Sequence, residues 1–370
     1  MIYLLPTYSK ICLTTYQMLS LCKIGTSKNI KMRIKLSLKI LTFVILFINI
    51  LSCSEPKVGS DRNTVTDSLT NISAVKDISK AIEENPEDPE LYYQRAQIYV
   101  SEKYLNRAED DYREAARLDS TNPLYAYSLA RTLYAMNITK ESATWYEKAI
   151  MLKPDYGEAI VKLADLYFLV KEHQKSINLL NEFRKVNPNE AYIYHMLGLN
   201  FKELGDTGRA IYHFQTAIEN DPKDYESTLY IANLYAGKKK SIAFEYFAAA
   251  IKLKPKGVDA FFGRAVFQQQ IKNYKSALLD YRRVIDLDPQ NYLAYYNVGY
   301  INYENGFFDE ALRNWNICTQ MNPNFANAFY MKGLVFEERK NKQEARIQYQ
   351  VALELDSENK LFMAGLKRVN

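Results

Sequence analysis

Residues 191–224 read AYIYHMLGLNFKELGDTGRAIYHFQTAIENDPKD, and residues 292–325 read YLAYYNVGYINYENGFFDEALRNWNICTQMNPNF. Both stretches are 34 residues long and carry Gly at place 8, Ala at place 20 and Pro at place 32. A self-similar period of this length is typical of a stacked repeat array, in which each unit contacts its neighbours and builds an extended surface. The pattern therefore favours binding over catalysis in an enclosed active site.

The same grid covers most of the chain. Place 8 is Ala or Gly in all eight units, place 20 is Ala or Ser, and Pro stands at the end of six units. Small side chains let two antiparallel helices approach closely, whereas Pro ends a helix. Apolar residues recur with helical spacing, so the array is predicted to be all helix. The units begin at Pro89, Pro123, Gly157, Ala191, Tyr225, Val258, Tyr292 and Ala326.

This grid resembles that of the tetratricopeptide repeat (TPR) family. The resemblance implies an all-α fold, a right-handed α-solenoid of about eight 34-residue helix-turn-helix repeats. Residues 77–86 are similar to the end of a unit and predict an amino-terminal half repeat, and 361–369 predict a capping helix. The predicted solenoid is residues 74–370, with repeats 89–122, 123–156, 157–190, 191–224, 225–257, 258–291, 292–325 and 326–359.

Four positions depart from the grid. Place 11 is polar in the sixth and seventh units, at Gln268 and Asn302. Place 27 of the third unit is Phe183 where a small residue is usual, which predicts splayed helices or a displaced next unit. The fifth unit is one residue short, and we expect the deletion in the turn between Gly237 and Ser241.

The start of the chain predicts where the protein works. A basic segment, 33–39, precedes the uncharged stretch 40–52 (ILTFVILFINILS), which is too short for a membrane span of about 20 residues. A basic region, an apolar core and a small residue describe a secretory signal. Residues 50–53 (ILSC) resemble a bacterial lipobox, which implies a lipoprotein signal at 32–52 and lipid attachment at Cys53. An uncleaved anchor or a chance cysteine is the alternative.

The segments on either side of this signal have their own predictions. Met32 directly precedes the basic segment, so residues 1–31 are interpreted as an upstream extension that is not native. Residues 53–73 are polar without an apolar period, which predicts a flexible tether. Ser54 is not the aspartate that retains some lipoproteins in the inner membrane. The resemblance therefore favours the bacterial outer membrane, with the array lipid-anchored and periplasmic or surface-facing.

Charge disfavours a nucleic-acid partner. The chain holds 48 basic and 43 acidic residues, but seven basic and no acidic ones lie in residues 1–52. Without that segment 41 basic residues face 43 acidic ones, so the array lacks the positive charge that nucleic-acid binding requires.

Motifs of catalysis are not found in the sequence. It has no Gly-rich phosphate loop, no HExxH, no CxxC and no nucleophile elbow. His173, His195 and His213 lack the spacing of metal ligands, and Cys318 falls at a small-residue place that predicts burial. We therefore predict a protein that is not an enzyme and that uses no metal and no cofactor.

The resemblance places the binding surface on the first helix of each unit, at places 2, 5, 9 and 12. Expected groove residues are Tyr93, Tyr127, Tyr134, Phe168, Tyr192, Phe262, Tyr296, Tyr300, Tyr303 and Tyr330. Acidic neighbours are Glu90, Glu158, Asp165, Glu203, Glu226, Asp259 and Glu337. Tyrosines suit a peptide or a partner helix laid along a groove, and the triplet of the seventh unit is the strongest candidate. The alternative is that these tyrosines only pack across adjacent first helices.

Two classes of function follow from this surface. The first is an interaction scaffold or adaptor of the bacterial cell envelope, with envelope proteins or peptides as partners. The second is a glycan-binding or carrier module whose aromatic faces stack on sugars, or a non-catalytic subunit of an envelope enzyme complex. One TPR subfamily binds acidic tails through a clamp of Lys, Asn and Arg, which this chain lacks, so a neutral, aromatic or basic ligand is expected.

Overall fold

The computed structural model describes residues 73–370, and this part of the chain consists of helices and short turns without a β-strand. The all-helical prediction is confirmed for this range. In chain order the helices are α1 Ser73–Glu84, α2 Pro89–Ser101, α3 Leu105–Leu118, α4 Pro123–Ala135, α5 Thr139–Leu152, α6 Gly157–Leu169, α7 His173–Val186, α8 Ala191–Glu203, α9 Thr207–Asn220, α10 Tyr225–Gly237, α11 Ala243–Leu253, α12 Val258–Gln270, α13 Tyr274–Leu287, α14 Tyr292–Glu304, α15 Phe308–Met321, α16 Ala326–Glu338, α17 Lys342–Leu355 and α18 Lys360–Val369.

Several predictions concern residues outside this range. The proposed extension 1–31, the signal 32–52, the lipid site Cys53 and all of the tether except Ser73 lie outside the described residues. None of the described helices has the length and apolar character needed to cross a bilayer.

The helices from α2 to α17 form eight pairs. The first helix of every pair has 13 residues, and the second has 14 except in the fifth pair. From α2 onward each helix packs against the next one in the chain, which is the connectivity of a stacked helical repeat. The first helices begin at the eight residues that open the units of the sequence grid.

Local chemistry explains why these helices begin where they do. The Asp88 carboxylate caps α2 by accepting from the Glu90 amide at 2.9 Å, and Pro89 occupies the first helical position. Asn122 and Pro123 repeat this arrangement at α4. A capping oxygen satisfies an otherwise unpaired amide, and Pro fits the first turn because no hydrogen bond is needed there.

Small residues set the distance between the paired helices. All eight residues at place 8 and all eight at place 20 are buried. Where place 8 is Gly, an aromatic ring fills the space: a Cβ at Gly198 would lie 2.6 Å from Phe214, and one at Gly333 would lie 2.4 Å from Tyr349. The aromatic ring of the second helix thus packs directly against the backbone of the first helix, because glycine has no side chain to separate them.

The core absorbs the large residue at place 27 of the third unit. Phe183 is buried, and a Cβ on Gly157 would lie 3.2 Å from its Cζ. Gly157 therefore provides the room that Phe183 occupies. The polar residue Gln268 is also buried, and its Oε1 has no hydrogen-bond partner among the described residues.

The prediction for the fifth unit is wrong in one respect. The connection between its helices, 238–242, has five residues, whereas the other seven pairs are joined by three; the helix α11 is short instead, with 11 residues. Before α11 the amides of Ala243 and Phe244 bond to the carbonyls of Lys240 and Ser241, three residues back. The chain enters α11 through this tight turn, so the deletion shortens the helix and not the connection.

The ends of the array are covered as predicted. In the half repeat, Ser79 on α1 accepts a hydrogen bond from Arg95 on α2 at 3.0 Å. At the other end α18 buries Phe362 and Val369 almost completely against the last pair. Terminal helices of this kind shield the apolar face that a missing neighbour would leave exposed.

Candidate binding surface

The expected groove residues differ in how far they reach the surface. Eight of the ten are partly buried, Tyr134 is 43% exposed and Phe262 is only 3% exposed. Phe262 packs edge-on against Tyr281, with 5.7 Å between ring centroids, inside the core of the sixth repeat. Its assignment as a ligand contact is therefore wrong, because the ring is not accessible. We call the remaining nine residues the first-helix face.

The amino-terminal part of the first-helix face is built from tyrosine pairs that join neighbouring repeats. The Tyr93 ring lies 5.2 Å from that of Tyr125 on the next first helix. Tyr127 lies 5.0 Å from Tyr156, and the Arg131 guanidinium stands 5.5 Å from the Tyr127 ring centroid. These rings stabilise the stacking of repeats; Tyr125 is buried, whereas Tyr93 and Tyr127 still expose part of their surface.

Hydrogen bonds hold the middle of the face. The Tyr192 hydroxyl donates to the Asp165 carboxylate of the preceding first helix. Burial raises the pKa of Asp165, although Tyr192 and Lys162 oppose this shift. The pKa of Tyr192 is raised mainly by burial and further by its hydrogen bond to Asp165, so its hydroxyl stays protonated and remains a donor at neutral pH. Phe168 packs edge-on against His173 at 5.4 Å.

A serine, a histidine and an aspartate meet beside Tyr192, but not as a catalytic triad. The His195 Nδ1 atom lies 2.8 Å from Ser227 Oγ and 3.6 Å from Asp224 Oδ2. In a triad the aspartate and the serine bind opposite nitrogens of the imidazole, whereas here both approach the same one. Ser227 is also buried in the first turn of α10, where Asp224 caps its amide at 2.9 Å. The cluster stabilises the start of a helix.

The tyrosine triplet of the seventh repeat lies along α14. Tyr296 packs edge-on against Phe325 at 5.0 Å, and Tyr303 lies 6.1 Å from Trp315. Tyr300, between them, has a pKa raised to about 12 by burial and by the neighbouring Glu304. Its hydroxyl is therefore protonated at neutral pH, and the three half-buried rings form one aromatic strip.

The capping helix completes the carboxyl-terminal end of the face. Tyr330 lies 5.5 Å from Tyr349 and 5.1 Å from Phe362. Arg368 on α18 holds Glu337 with two hydrogen bonds of 2.6 and 2.8 Å. Sequence reasoning missed Arg368, because nothing in the repeat grid relates a residue of the cap to a first helix 31 positions earlier.

Acidic side chains divide into paired and unpaired groups. Glu203 and Glu337 are neutralised by Lys202 and Arg368. Four place-2 acids are exposed and form no ion pair with a described residue: Glu90, Glu158, Glu226 and Asp259. The first-helix face therefore presents aromatic rings next to uncompensated negative charge.

The described residues include no group of three or more His, Cys, Asp or Glu arranged to hold a metal ion. Burial raises the pKa of the Cys318 thiol to about 12, which keeps it from acting as a nucleophile.

A helical-repeat array with a continuous, partly aromatic face defines a class of protein that binds along an extended surface. Family profiles agree with this class: one described as TPR repeat matches residues 263–306, and others described as Tetratricopeptide repeat match 89–122, 191–224 and 296–360. The chain belongs to the tetratricopeptide repeat family.

Known proteins resemble the chain over long stretches. Human Tetratricopeptide repeat protein 6 is 23% identical over 299 residues, 79% of this chain and 57% of that protein. The DnaJ homolog subfamily C member 7 homolog of Dictyostelium discoideum is 25% identical over 224 residues, 59% of this chain and 38% of that protein. The chain thus spans 57% of the length of the first relative and 38% of the length of the second.

Among solved structures, the crystal structure of the APC/C hetero-tetramer Cut9–Hcn1 aligns with a TM-score of 0.50 at 14% identity. The alignment covers 82% of this chain and 59% of that one. The likeness supports the predicted α-solenoid fold, which the helix pairing confirms.

Proposed function

We propose that this protein is a membrane-anchored interaction scaffold of the bacterial cell envelope that binds a peptide or a partner helix along its first-helix face. The observation that carries the proposal is the aromatic strip of α14, Tyr296, Tyr300 and Tyr303, which remains partly exposed although its rings are fixed by core contacts. Rings that are already ordered lose little conformational entropy when a ligand packs on them.

The charge of the surface supports a neutral, aromatic or basic ligand. The place-2 carboxylates, such as Glu158 and Glu226, are exposed and have no cationic partner among the described residues. An acidic ligand would meet these like charges, whereas Lys or Arg side chains would pair with them.

The anchor is proposed from the sequence. The lipobox-like residues 50–53 would place an acyl group on Cys53, and the polar segment that follows would tether the array to the outer membrane. Metabolic labelling with a fatty acid tests this directly. We expect label on the wild-type chain and none on Cys53→Ala; equal labelling of both would contradict the anchor.

Crosslinking in intact bacterial cells tests the binding surface. The variant is Tyr134→Ala/Tyr300→Ala, because Tyr134 is exposed and neither tyrosine forms a close ring pair with another described aromatic residue. Since Tyr300 also packs on the core of the seventh repeat, the comparison requires that circular dichroism of the variant is unchanged. The matched control is Tyr212→Ala, which removes a tyrosine that is 60% exposed on the second helix α9. We expect the first variant to lose defined envelope partners and the control to retain them.

Other outcomes would redirect the assignment. Retention of all partners by Tyr134→Ala/Tyr300→Ala would contradict binding at the first-helix face. The exposed Tyr134 also offers a platform for a sugar ring, as a glycan-binding or carrier module requires. Quenching of tyrosine fluorescence by oligosaccharides, but not by peptides, would replace the scaffold with that second function.

A further inference from the structure

Five lysines lie in the turns within the fifth and sixth repeats and in the first turn of α13: Lys238, Lys239, Lys240, Lys272 and Lys275. All five are exposed, and none lies within ion-pair distance of an acidic residue in the described part of the chain. We call residues 238–242 and 271–275 the basic edge, since neither segment contains an acid. Each segment contains the connection between the two helices of its own repeat, 238–242 in the fifth and 271–273 in the sixth. Because the two repeats are adjacent in the stack, these equivalent connections lie next to each other at one end of the helix pairs.

The backbone of the basic edge is irregular in its first segment. The 238–242 connection is the one that has five residues instead of three, so the array is least regular where its positive charge is concentrated. Lys239 and Lys272 adopt left-handed backbone conformations, with φ of 53° and 62°. Equivalent turns use Gly205 and Gly306, with φ of 77° and 80°. The same conformation recurs at Lys103, Lys171 and Lys340, so it belongs to the repeat turn in general and does not distinguish the basic edge.

Two exposed aliphatic side chains accompany the lysines. Ile242 is 37% exposed and Ile271 is 43% exposed. Cationic side chains around exposed aliphatic ones are typical of segments that bind the interface of an anionic bilayer, where lysines meet phosphates and apolar groups enter the acyl boundary. An acidic protein would pair with the lysines but would have no particular need for the isoleucines.

We propose that the basic edge binds the surface of an anionic phospholipid bilayer. Lys238, Lys239, Lys240, Lys272 and Lys275 contact lipid phosphates, and Ile242 and Ile271 insert shallowly between head groups. This contact is independent of the lipid anchor at Cys53, and it uses the ends of helices whose sides form the first-helix face. A bilayer on the basic edge therefore leaves the first-helix face open to a partner.

Vesicle flotation with the full-length chain tests the proposal. The chain carries Cys53→Ser throughout, so that acylation is absent and residues 1–72 contribute equally to every measurement. Binding is compared between vesicles of phosphatidylcholine alone and equimolar vesicles of phosphatidylcholine and phosphatidylglycerol. We expect the anionic vesicles to be preferred and the preference to fall with added salt.

A matched pair of variants locates the contact. Lys238→Gln/Lys240→Gln removes two charges from the basic edge, whereas Lys252→Gln/Lys256→Gln removes two exposed, unpaired charges near the opposite end of the same helix pair. Each lysine near an anionic surface contributes about fivefold in affinity, so the first variant should bind anionic vesicles about 30-fold more weakly. The second should bind nearly as well as the parent chain, and Ile271→Ser should weaken binding at every salt concentration.

Three results would overturn the proposal. These are equal losses in the two double variants, equal binding to the two kinds of vesicle, or binding of polyglutamate with the same lysine dependence in the absence of vesicle binding. The last would assign the basic edge to an acidic protein. Unchanged circular dichroism of each variant establishes that the array is folded in every comparison.

Discussion

Replacing Gly299 with Ala should destabilise the seventh repeat, although Ala is the better helix former. Gly299 lies inside α14, and a Cβ there would stand 2.5 Å from Nε1 and 2.7 Å from Cδ1 of Trp315. Trp315 has no exposed surface, and its Nε1 donates to the Tyr296 carbonyl at 3.0 Å. The ring must therefore move, and its movement strains or breaks a buried hydrogen bond.

The size of the effect follows from opposing contributions. Overpacking a tight core site costs about 1–3 kcal/mol, and weakening the buried indole hydrogen bond costs about 1 kcal/mol more. Replacing Gly by Ala within a helix returns about 1 kcal/mol. We therefore expect Gly299→Ala to lower the free energy of unfolding by about 1–3 kcal/mol. The control is Gly208→Ala, at an exposed position of α9 where the nearest atom to an added Cβ is Oδ1 of Asp206 at 3.6 Å; it should stabilise by up to about 1 kcal/mol.

The assay must resolve one repeat within an array. Urea unfolding followed by circular dichroism gives the overall midpoint, but a stack of repeats does not unfold strictly in two states. Native-state hydrogen exchange of α14 and α15 amides therefore measures the local effect. A double-mutant cycle of Gly299→Ala with Trp315→Leu adds a test. The third repeat already has this pair at the equivalent places, Ala164 and Leu180, and both are fully buried there, so the double variant should pack without a clash.

Two results would contradict a clash between a side chain at position 299 and Trp315. One is a Gly299→Ala chain that unfolds at or above the wild-type midpoint with unchanged exchange in α14. The other is strict additivity of Gly299→Ala and Trp315→Leu, which would mean that the new methyl group and the indole do not compete for the same space.

Further predictions concern other residues. Gly205→Ala should lower the free energy of unfolding by about 1 kcal/mol, because φ at this residue is 77° and no atom lies within 4 Å of an added Cβ to cause a clash. Lys171→Gly, at φ of 62°, should raise it by a similar amount. An unchanged midpoint of urea unfolding would contradict either prediction. Burial is the main cause, and the charges of Arg184 and Arg209 a smaller one, of a His213 pKa that is lowered from 6.5 to about 4. Between pH 6.5 and pH 4 the imidazole is therefore protonated in the unfolded chain but not in the folded one. Stability should fall by an amount on the order of 3 kcal/mol from pH 7 to pH 4, and His213→Phe, which keeps the stack on Phe201, should flatten this dependence in pH-resolved thermal melts. Cys318 should resist alkylation in the native protein and react on unfolding, as mapped by peptide mass; rapid native labelling would show that it is not buried.

The repeat grid predicted the helices well, because its information is local. Pro123 following Asn122 starts a helix through its own backbone and cap, whatever packs around it. Small residues at places 8 and 20 recur so regularly that the pairing of helices is readable from spacing alone. The fifth repeat is an exception. Its sequence shows that one residue is missing, but it does not show whether the turn or the second helix is shortened.

The candidate surface was less predictable than the fold. Phe262 and Tyr296 both occupy place 5 of a first helix, yet Phe262 is buried and Tyr296 is half exposed. What differs is the packing around each ring: Phe262 sits edge-on against Tyr281 inside the core, whereas Tyr296 packs on Phe325 from the turn between repeats. Exposure depends on side chains contributed by other helices, and spacing within one helix contains no information about them.

From the amino-acid sequence alone, this protein is an all-helical array of eight repeats with an aromatic and acidic series on its first helices. Three features depend on the folded array: which of these aromatic residues remain accessible, the neutralisation of Glu337 by Arg368, and the grouping of five unpaired lysines at one edge of two adjacent repeats. Helix propensity, capping and repeat spacing act between near neighbours in the chain, so a sequence displays them directly. The accessibility of a side chain and the pairing of its charge depend on residues that are close in space but distant in the sequence. Those residues come together only when the repeats stack.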